Sequence, residues 1–169
     1  MNRAASPPRG VLLRHPAGWI ATGFGAGFSP VAPGTAGSLA ALLPWFFLRG
    51  LTPLAYATVV VLAFALGVWA CGWIVRAQRI ADPACAVWDE FVGQWIALAP
   101  LLWHAAGWPG WTGAFILFRI FDIWKPWPVS WADRAVDGGL GVMLDDVIAG
   151  LYAALVLTLL LMAGLGAEG

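Results

Sequence analysis

Charged residues are scarce in this chain: only 11% of its 169 residues are Asp, Glu, Lys or Arg, whereas 61% are hydrophobic. Soluble globular domains contain about 25% charged residues, so the composition excludes an ordinary soluble domain and predicts that lipid surrounds most of the chain. The absence of a basic run argues against nucleic-acid binding. The N-terminus also lacks a compact apolar stretch before a cleavage site, so we expect no removed signal peptide.

Cysteine and histidine are equally rare, with two of each. Cys71 and Cys85 form neither a disulfide framework nor a zinc-binding pattern, and neither begins a Cys-x5-Arg phosphate loop. His15 and His104 are predicted on opposite sides of the membrane, which argues against a histidine-phosphate mechanism. There is no Asp-x-Asp pair of the kind that aspartyl-phosphate phosphatases use, and no Walker A lysine.

Acidic residues are unevenly distributed along the chain. The first 81 residues contain six arginines and no acid, and eight of the nine acids lie between Asp82 and Asp146. The zero net charge therefore hides an acid-rich segment within a largely apolar protein. This pattern indicates that the segment binds cations or handles protons.

Five apolar segments predict an all-α, polytopic membrane bundle of about five helices. Residues 51–75 and 147–166 are long enough to cross a bilayer of about 30 Å. The segments 35–48, 91–103 and 111–123 are shorter, so they are borderline spans, and some of them could re-enter the membrane instead of crossing it. Prolines and glycines separate the segments.

The placement of Lys and Arg predicts the orientation of these spans. With a cytoplasmic N-terminus, seven basic residues lie inside and only Arg49 lies outside, as the positive-inside rule requires. We therefore expect an N-terminal cytoplasmic tail, residues 1–16, and one membrane-embedded domain, residues 17–169. The same topology brings five acids to the cytoplasmic ends of three helices: Asp89, Glu90, Asp122, Asp145 and Asp146.

Five carboxylates near the hydrocarbon boundary are costly to keep ionised unless they are paired or bind a metal. Oxygen ligands suit a hard cation, which makes Mg²⁺ the first choice and Mn²⁺ the next. Small residues one turn after three of these acids, Gly93, Ala149 and Gly150, would let the helices approach closely enough to share an ion. We predict that the five acids are both metal ligands and catalytic residues.

Each acid also has a structural alternative. The pairs Asp89–Glu90 and Asp145–Asp146 could merely stabilise helix N-termini through the helix dipole. Asp122, at a predicted helix C-terminus, could form a salt bridge with Arg119 or Lys125. The sequence alone leaves these alternatives open.

A segment rich in glycine and hydroxyl groups, residues 29–38, leads into the first predicted helix. Backbone N–H groups and the helix dipole favour an anion such as phosphate at that position. The alternative is an ordinary N-cap by Thr35 or Ser38. Arginine can hold phosphate through a bidentate fork, and lysine as a point charge. The predicted phosphate-binding residues are Gly34, Thr35, Ser38, Arg119, Lys125 and Arg134.

Four segments resemble the signature blocks of the phosphatidylglycerophosphatase A family, in the same order and with similar spacing. They are GFGAGFSPVAPGTAGS at residues 23–38, VWDEFVG at 87–93, FRIFDIWKPWP at 118–128 and GGLGVMLDDVIAG at 138–150. The resemblance covers about residues 17–160. It implies an α-helical, Mg²⁺-dependent enzyme of the bacterial inner membrane, with its active site at the cytoplasmic face, that converts phosphatidylglycerophosphate to phosphatidylglycerol.

The resemblance also assigns roles to matched residues. It carries over the five acids named above, together with Arg119, Lys125 and Arg134, whereas Asp137 departs from a position where the family often has His. The acids would hold one or two Mg²⁺ ions, and Asp146 or Glu90 would orient the attacking water. The lipid substrate would enter from the surrounding membrane lipids, and formation of a homo-oligomer is left open.

Two other functions fit parts of this pattern. A cation conduit or transporter would also use acids, but coupling acids tend to lie near the bilayer midplane. The middles of the two clear spans contain none. A phosphatase that acts on a related small or isoprenoid phosphate would carry the same features.

Overall fold

The computed structural model describes residues 9–104 and 106–164, and all regular secondary structure in these residues is helical. The all-α prediction is confirmed. Nine α-helices are joined by short connections, with 3₁₀ helices at Gly23–Phe28 and Ala99–Leu102 in the described ranges. The α-helices are α1 (Arg9–Leu12), α2 (Pro16–Ala21), α3 (Pro33–Ala40), α4 (Leu42–Leu48), α5 (Pro53–Gln78), α6 (Trp88–Leu98), α7 (Gly107–Trp124), α8 (Val129–Ala135) and α9 (Gly138–Met162).

Two long helices correspond to the two clear predicted spans. Among the described residues, α5 and α9 are long and apolar enough to cross a membrane, with mean hydropathies of 2.2 and 2.0. Thr52 caps α5 by accepting a hydrogen bond from the backbone of Ala55, and Pro53 occupies the first turn, where its missing N–H costs nothing. The two helices suggest a membrane protein.

The last helix begins earlier than predicted. We expected a span over residues 147–166, but α9 starts at Gly138, and residues 165–166 lie outside the described part of the chain. The glycines that favoured a loop instead pack tightly: a Cβ on Gly139 would lie 2.0 Å from the Val68 carbonyl oxygen. Close packing therefore outweighed the low helix propensity of glycine. As a result, Asp145 and Asp146 lie about two turns inside α9 instead of opening it.

The three borderline segments form shorter or divided helices. The predicted segment 35–48 is split into α3 and α4. The segment 91–103 is α6 followed by a 3₁₀ turn, and 111–123 lies within α7. Of the predicted N-terminal tail, residues 1–8 lie outside the described ranges, while α1 follows directly and Leu12 is buried in the core.

Helix α9 is the centre of the bundle, and α5, α6, α7 and α8 all pack against it. The aromatic face of α6 is fixed by hydrogen bonds as well as by burial. The indole N–H groups of Trp88 and Trp95 donate to the carbonyls of Ala63 and Ala41, both at 2.9 Å, and the Tyr56 hydroxyl donates to the Trp95 carbonyl at 2.6 Å. Satisfied aromatic polar atoms of this kind give α6 one rotational setting.

Helices α6 and α9 also approach each other closely. A Cβ on Gly150 would lie 2.5 Å from the Gly93 carbonyl oxygen, and a Cβ on Gly93 would lie 2.7 Å from the Asp146 carbonyl oxygen. Real Cβ atoms do not approach this closely, so both positions require glycine. The prediction that small residues allow close helix contact is confirmed for these two glycines.

We predict that Gly150→Ala destabilises the protein by about 1–3 kcal/mol, because the new methyl group forces α6 and α9 apart. The matched control is Gly113→Ala in α7, where a Cβ would meet only Leu157 at an ordinary 3.6 Å. There, the better helix propensity of alanine should stabilise the protein by about 0.5–1 kcal/mol. Unfolding in detergent titrated with SDS, followed by tryptophan fluorescence, measures both effects. Equal stabilities of the two variants would contradict the close contact.

Candidate active site

A cavity of about 350 Å³ lies where α3, α6, α7, α8 and α9 meet. The acid-rich segment of the sequence meets here, because every acid between residues 82 and 146 lines the cavity. Two basic residues, Arg119 and Lys125, also line it. A cavity with this excess of carboxylates favours cations. The acids are Asp82, Asp89, Glu90, Asp122, Asp133, Asp137, Asp145 and Asp146.

Three carboxylates form the centre of the cavity. Asp89 and Glu90 lie in the first turn of α6 and Asp146 lies on α9, and each offers an oxygen within 4.8 Å of the other two. Asp89 and Asp146 are only 8% and 3% exposed. The α6–α9 contact at Gly93 produces this cluster, because Gly93 is one turn after Asp89 and touches the backbone of Asp146.

The central carboxylates fit a divalent cation. Glu90 Oε2 and Asp146 Oδ2 are buried, and neither has a hydrogen-bond partner among the described residues. Buried carboxylate oxygens without partners are costly, and a cation with oxygen ligands satisfies both at once. An all-oxygen donor set suits a hard ion such as Mg²⁺ or Mn²⁺. Asp89, Glu90 and Asp146 could hold such an ion.

Arg119 lies beside this cluster with part of its hydrogen-bonding capacity unused. Its Nη1 forms a salt bridge with Asp122 at 2.7 Å and donates to the Ser38 hydroxyl at 3.3 Å. Its Nε is buried and unpartnered within the described part of the chain. The salt bridge that we considered as an alternative for Asp122 is therefore present, although both residues still line the cavity. The free N–H of Arg119 could bind an anion.

Lys125 is held between two carboxylates. It ends α7 in a left-handed conformation, with φ of 47°, and its Nζ donates to Asp145 Oδ2 at 2.8 Å and to Asp133 Oδ1. Burial would lower the pKa of Lys125, but the hydrogen bonds to Asp133 and Asp145 raise that pKa above its usual value. The ammonium group therefore stays charged and neutralises Asp145, which is not part of the three-carboxylate cluster.

The beginning of α3 forms the wall opposite these acids. A Cβ on Gly34 would lie 2.2 Å from Glu90 Oε1 and 3.3 Å from both terminal nitrogens of Arg119. A side chain at this point would displace the end of Glu90 or Arg119, and Thr35 also lines the cavity. The N-cap alternative for Thr35 and Ser38 was wrong, because Ala32 is the N-cap of α3.

Nine of the eleven predicted site residues line the cavity, and Ser38 and Arg134 are not among the described residues that do so. Ser38 is buried and donates to the Gly34 carbonyl while accepting from Arg119. Arg134 is exposed, and its Nε donates to the Ser130 carbonyl in its own helix, α8.

The helix-dipole alternative has different outcomes for the two acid pairs. Asp89 and Glu90 do occupy the first turn of α6, where they face its positive end, so the dipole interaction applies to them and is compatible with cation binding. Asp145 and Asp146 lie two turns inside α9, where the dipole of the terminus no longer explains them.

Sequence reasoning assigned no role to Asp133, although it binds Lys125. The signal that could have indicated it was its place in the acid-rich segment, eight residues after Lys125. Asp82 and Asp137 are exposed acids that line the same cavity.

Comparison with known proteins identifies the family. Residues 19–161 match the family model described as Phosphatidylglycerophosphatase A. The chain is 43% identical over 147 residues to the phosphatidylglycerophosphatase A of Escherichia coli, across 84% of this chain and 81% of that protein. It is 38% identical over 152 residues to the protein of the same name from Haemophilus influenzae, across 89% of this chain and 92% of that protein.

A third relative carries a different name. A protein of Bacteroides thetaiotaomicron, named as a candidate phosphatidylinositol-3-phosphatase, is 44% identical over 146 residues, across 79% of this chain and 86% of that protein. No solved structure shows significant similarity to the chain. The resemblance expected from the four sequence blocks is confirmed, and the chain belongs to the phosphatidylglycerophosphatase A family, an enzyme family of the phosphatase class.

Proposed function

We propose that this chain hydrolyses phosphatidylglycerophosphate to phosphatidylglycerol and inorganic phosphate in bacterial phospholipid biosynthesis, with Mg²⁺ as its cofactor. One observation carries the proposal: Glu90 and Asp146 have buried carboxylate oxygens without a partner among the described residues, and they lie in the same cavity as Arg119, whose buried Nε also lacks a partner there. The two carboxylate oxygens favour a bound cation, and the N–H of Arg119 favours a bound anion. A divalent metal together with a phosphate monoester satisfies both.

The residues divide the work of the reaction between them. Asp89, Glu90 and Asp146 would hold the cation, which when bound supplies neutralising charge for the phosphate and makes a water molecule more acidic. Arg119 donates to the phosphate oxygens through its free N–H, and its salt bridge to Asp122 fixes the guanidinium. Gly34 lets the side chains of Glu90 and Arg119 lie close against the backbone of α3.

The chemical step is hydrolysis of a phosphate ester. Water adds to phosphorus, the bond from phosphorus to the glycerol oxygen breaks, and that oxygen leaves with a proton. Of Asp146 and Glu90, the carboxylate that the cation does not use fully would orient the attacking water. Lys125 holds Asp145 and Asp133, so its role is to position the wall of the cavity, and Arg119 is the better candidate for phosphate binding.

The placement of charge supports a multi-pass protein of the bacterial inner membrane with its cavity at the cytoplasmic face. Seven basic residues would lie on the cytoplasmic side in that orientation.

A second candidate substrate is phosphatidylinositol 3-phosphate, because the Bacteroides relative named for that lipid is as similar to this chain as the Escherichia coli protein is. Both lipids carry a phosphate monoester on a polyol headgroup that a phosphodiester links to the acylated glycerol, so the same site could bind either.

We predict that the purified protein in detergent releases phosphate from phosphatidylglycerophosphate with Mg²⁺ and does not do so with excess chelator. Asp146→Asn should lower kcat/KM by about a hundredfold or more, because it removes charge from the central cluster. The matched control is Glu168→Gln, an acid outside the segment between residues 82 and 146, which should retain activity. Phosphate release that persists in chelator would exclude the metal-dependent mechanism. Faster release from phosphatidylinositol 3-phosphate would identify that lipid as the substrate.

Arg119→Lys should lower kcat/KM by about 10- to 100-fold, because lysine keeps the charge but loses the Nε–H and the planar fork. Arg76→Lys is the control, since Arg76 is exposed in the last turn of α5. Steady-state assays of both variants test the assignment. Wild-type activity in Arg119→Lys would show that the guanidinium does not bind the phosphate.

A further inference from the structure

An apolar groove of about 610 Å³ runs along the outer side of α7. Its residues fall three and four positions apart, so they form one stripe along the helix. The stripe extends over about 14 Å, from residue 115 to residue 124. The lining residues are Phe115, Ile116, Arg119, Ile120, Ile123 and Trp124.

The groove and the acidic cavity are adjacent, because Arg119 lines both. Its guanidinium is turned toward Ser38 and Asp122, while its position on α7 places it in the middle of the apolar stripe. A molecule bound at Arg119 therefore has polar surroundings on one side and an apolar channel on the other. This arrangement suits an amphiphile whose anionic group and hydrocarbon chain are joined at one point.

The apolar residues of the stripe are open to the surroundings. Ile116 and Ile120 are 49% and 47% exposed, and Trp124, at the end nearest Lys125, is 73% exposed. A tryptophan at such a position suits the level of lipid headgroups, where its apolar ring and polar N–H are both accommodated. The opposite end of the stripe, at Phe115, is then directed toward the hydrocarbon interior.

We infer that this groove binds an acyl chain of the lipid phosphate substrate and guides the headgroup past Arg119 into the cavity. The inference rests on the proposed lipid phosphatase activity and adds the route by which the substrate is held. The acyl chain lies along Ile116 and Ile120, and the acylated glycerol lies near Trp124 and Arg119. The α7 groove thus binds the part of the substrate that does not react, and the cavity binds the part that does.

The test compares two substrates in each protein. Dioleoyl phosphatidylglycerophosphate in mixed micelles has the acyl chains, whereas its deacylated headgroup has the same phosphate monoester and no chains. Ile116→Trp and Ile120→Trp fill the groove, and Leu62→Trp makes the same kind of change on an exposed position of α5. KM and kcat are measured for both substrates with all three variants and the wild type.

We expect KM for the dioleoyl lipid to rise about tenfold in the two groove variants and to stay within about twofold of wild type in Leu62→Trp. Hydrolysis of the deacylated headgroup should be unchanged in all three, which also shows that the variants are folded. Equal effects of Ile120→Trp and Leu62→Trp, or equal losses on both substrates, would overturn the groove assignment while leaving the proposed function standing. A wild-type protein that hydrolyses neither substrate would instead overturn the proposed function, and this inference with it.

Discussion

The backbones of α6 and α9 meet at Gly93 and Gly150 without room for a side chain, and this contact decides where the acidic residues lie. One turn before Gly93 is Asp89, and one turn before Gly150 is Asp146, so carboxylates from two helices are brought to the same end of the contact. The aromatic face of α6 fixes its rotation through hydrogen bonds from Trp88 and Trp95. The acids therefore converge because of backbone packing, and their mutual repulsion opposes that packing.

The five predicted acids fall into two groups, according to whether a basic residue of the chain offsets the repulsion. Asp122 and Asp145 have cations from the chain itself, Arg119 and Lys125. Asp89, Glu90 and Asp146 have no such partner in the salt bridges of the described residues, and two of their buried oxygens are unpartnered. A bound divalent cation would supply the positive charge that these three carboxylates lack. Arg119 connects the two groups, because it is held by Asp122 and yet leaves its Nε free.

Much of the site could be predicted from local patterns, because prolines mark the helix ends and the acids lie next to those ends. Asp89 and Glu90 lie at the start of α6, and Asp122 lies near the end of α7, as predicted. The start of α9 could not be predicted, because glycines such as Gly139 and Gly141 favour a loop by propensity. In the structure both are helical, and Gly139 packs against the Val68 carbonyl of α5. The partners of Lys125 depend on how the turn after α7 returns to α8 and α9, which no periodicity encodes. Ser38 and Arg134 were the right residue types for phosphate, but one faces Arg119 and the other its own helix.

We propose that the α6–α9 contact builds a divalent cation site from Asp89, Glu90 and Asp146. We would titrate the purified protein in detergent with Mn²⁺, without any substrate, and use electron paramagnetic resonance to measure how much Mn²⁺ is bound. We expect saturable binding that is unchanged in Glu168→Gln and weakened at least about tenfold in Asp146→Asn. Equal affinities in Asp146→Asn and wild type, or no saturable binding to the wild type, would contradict this cation site.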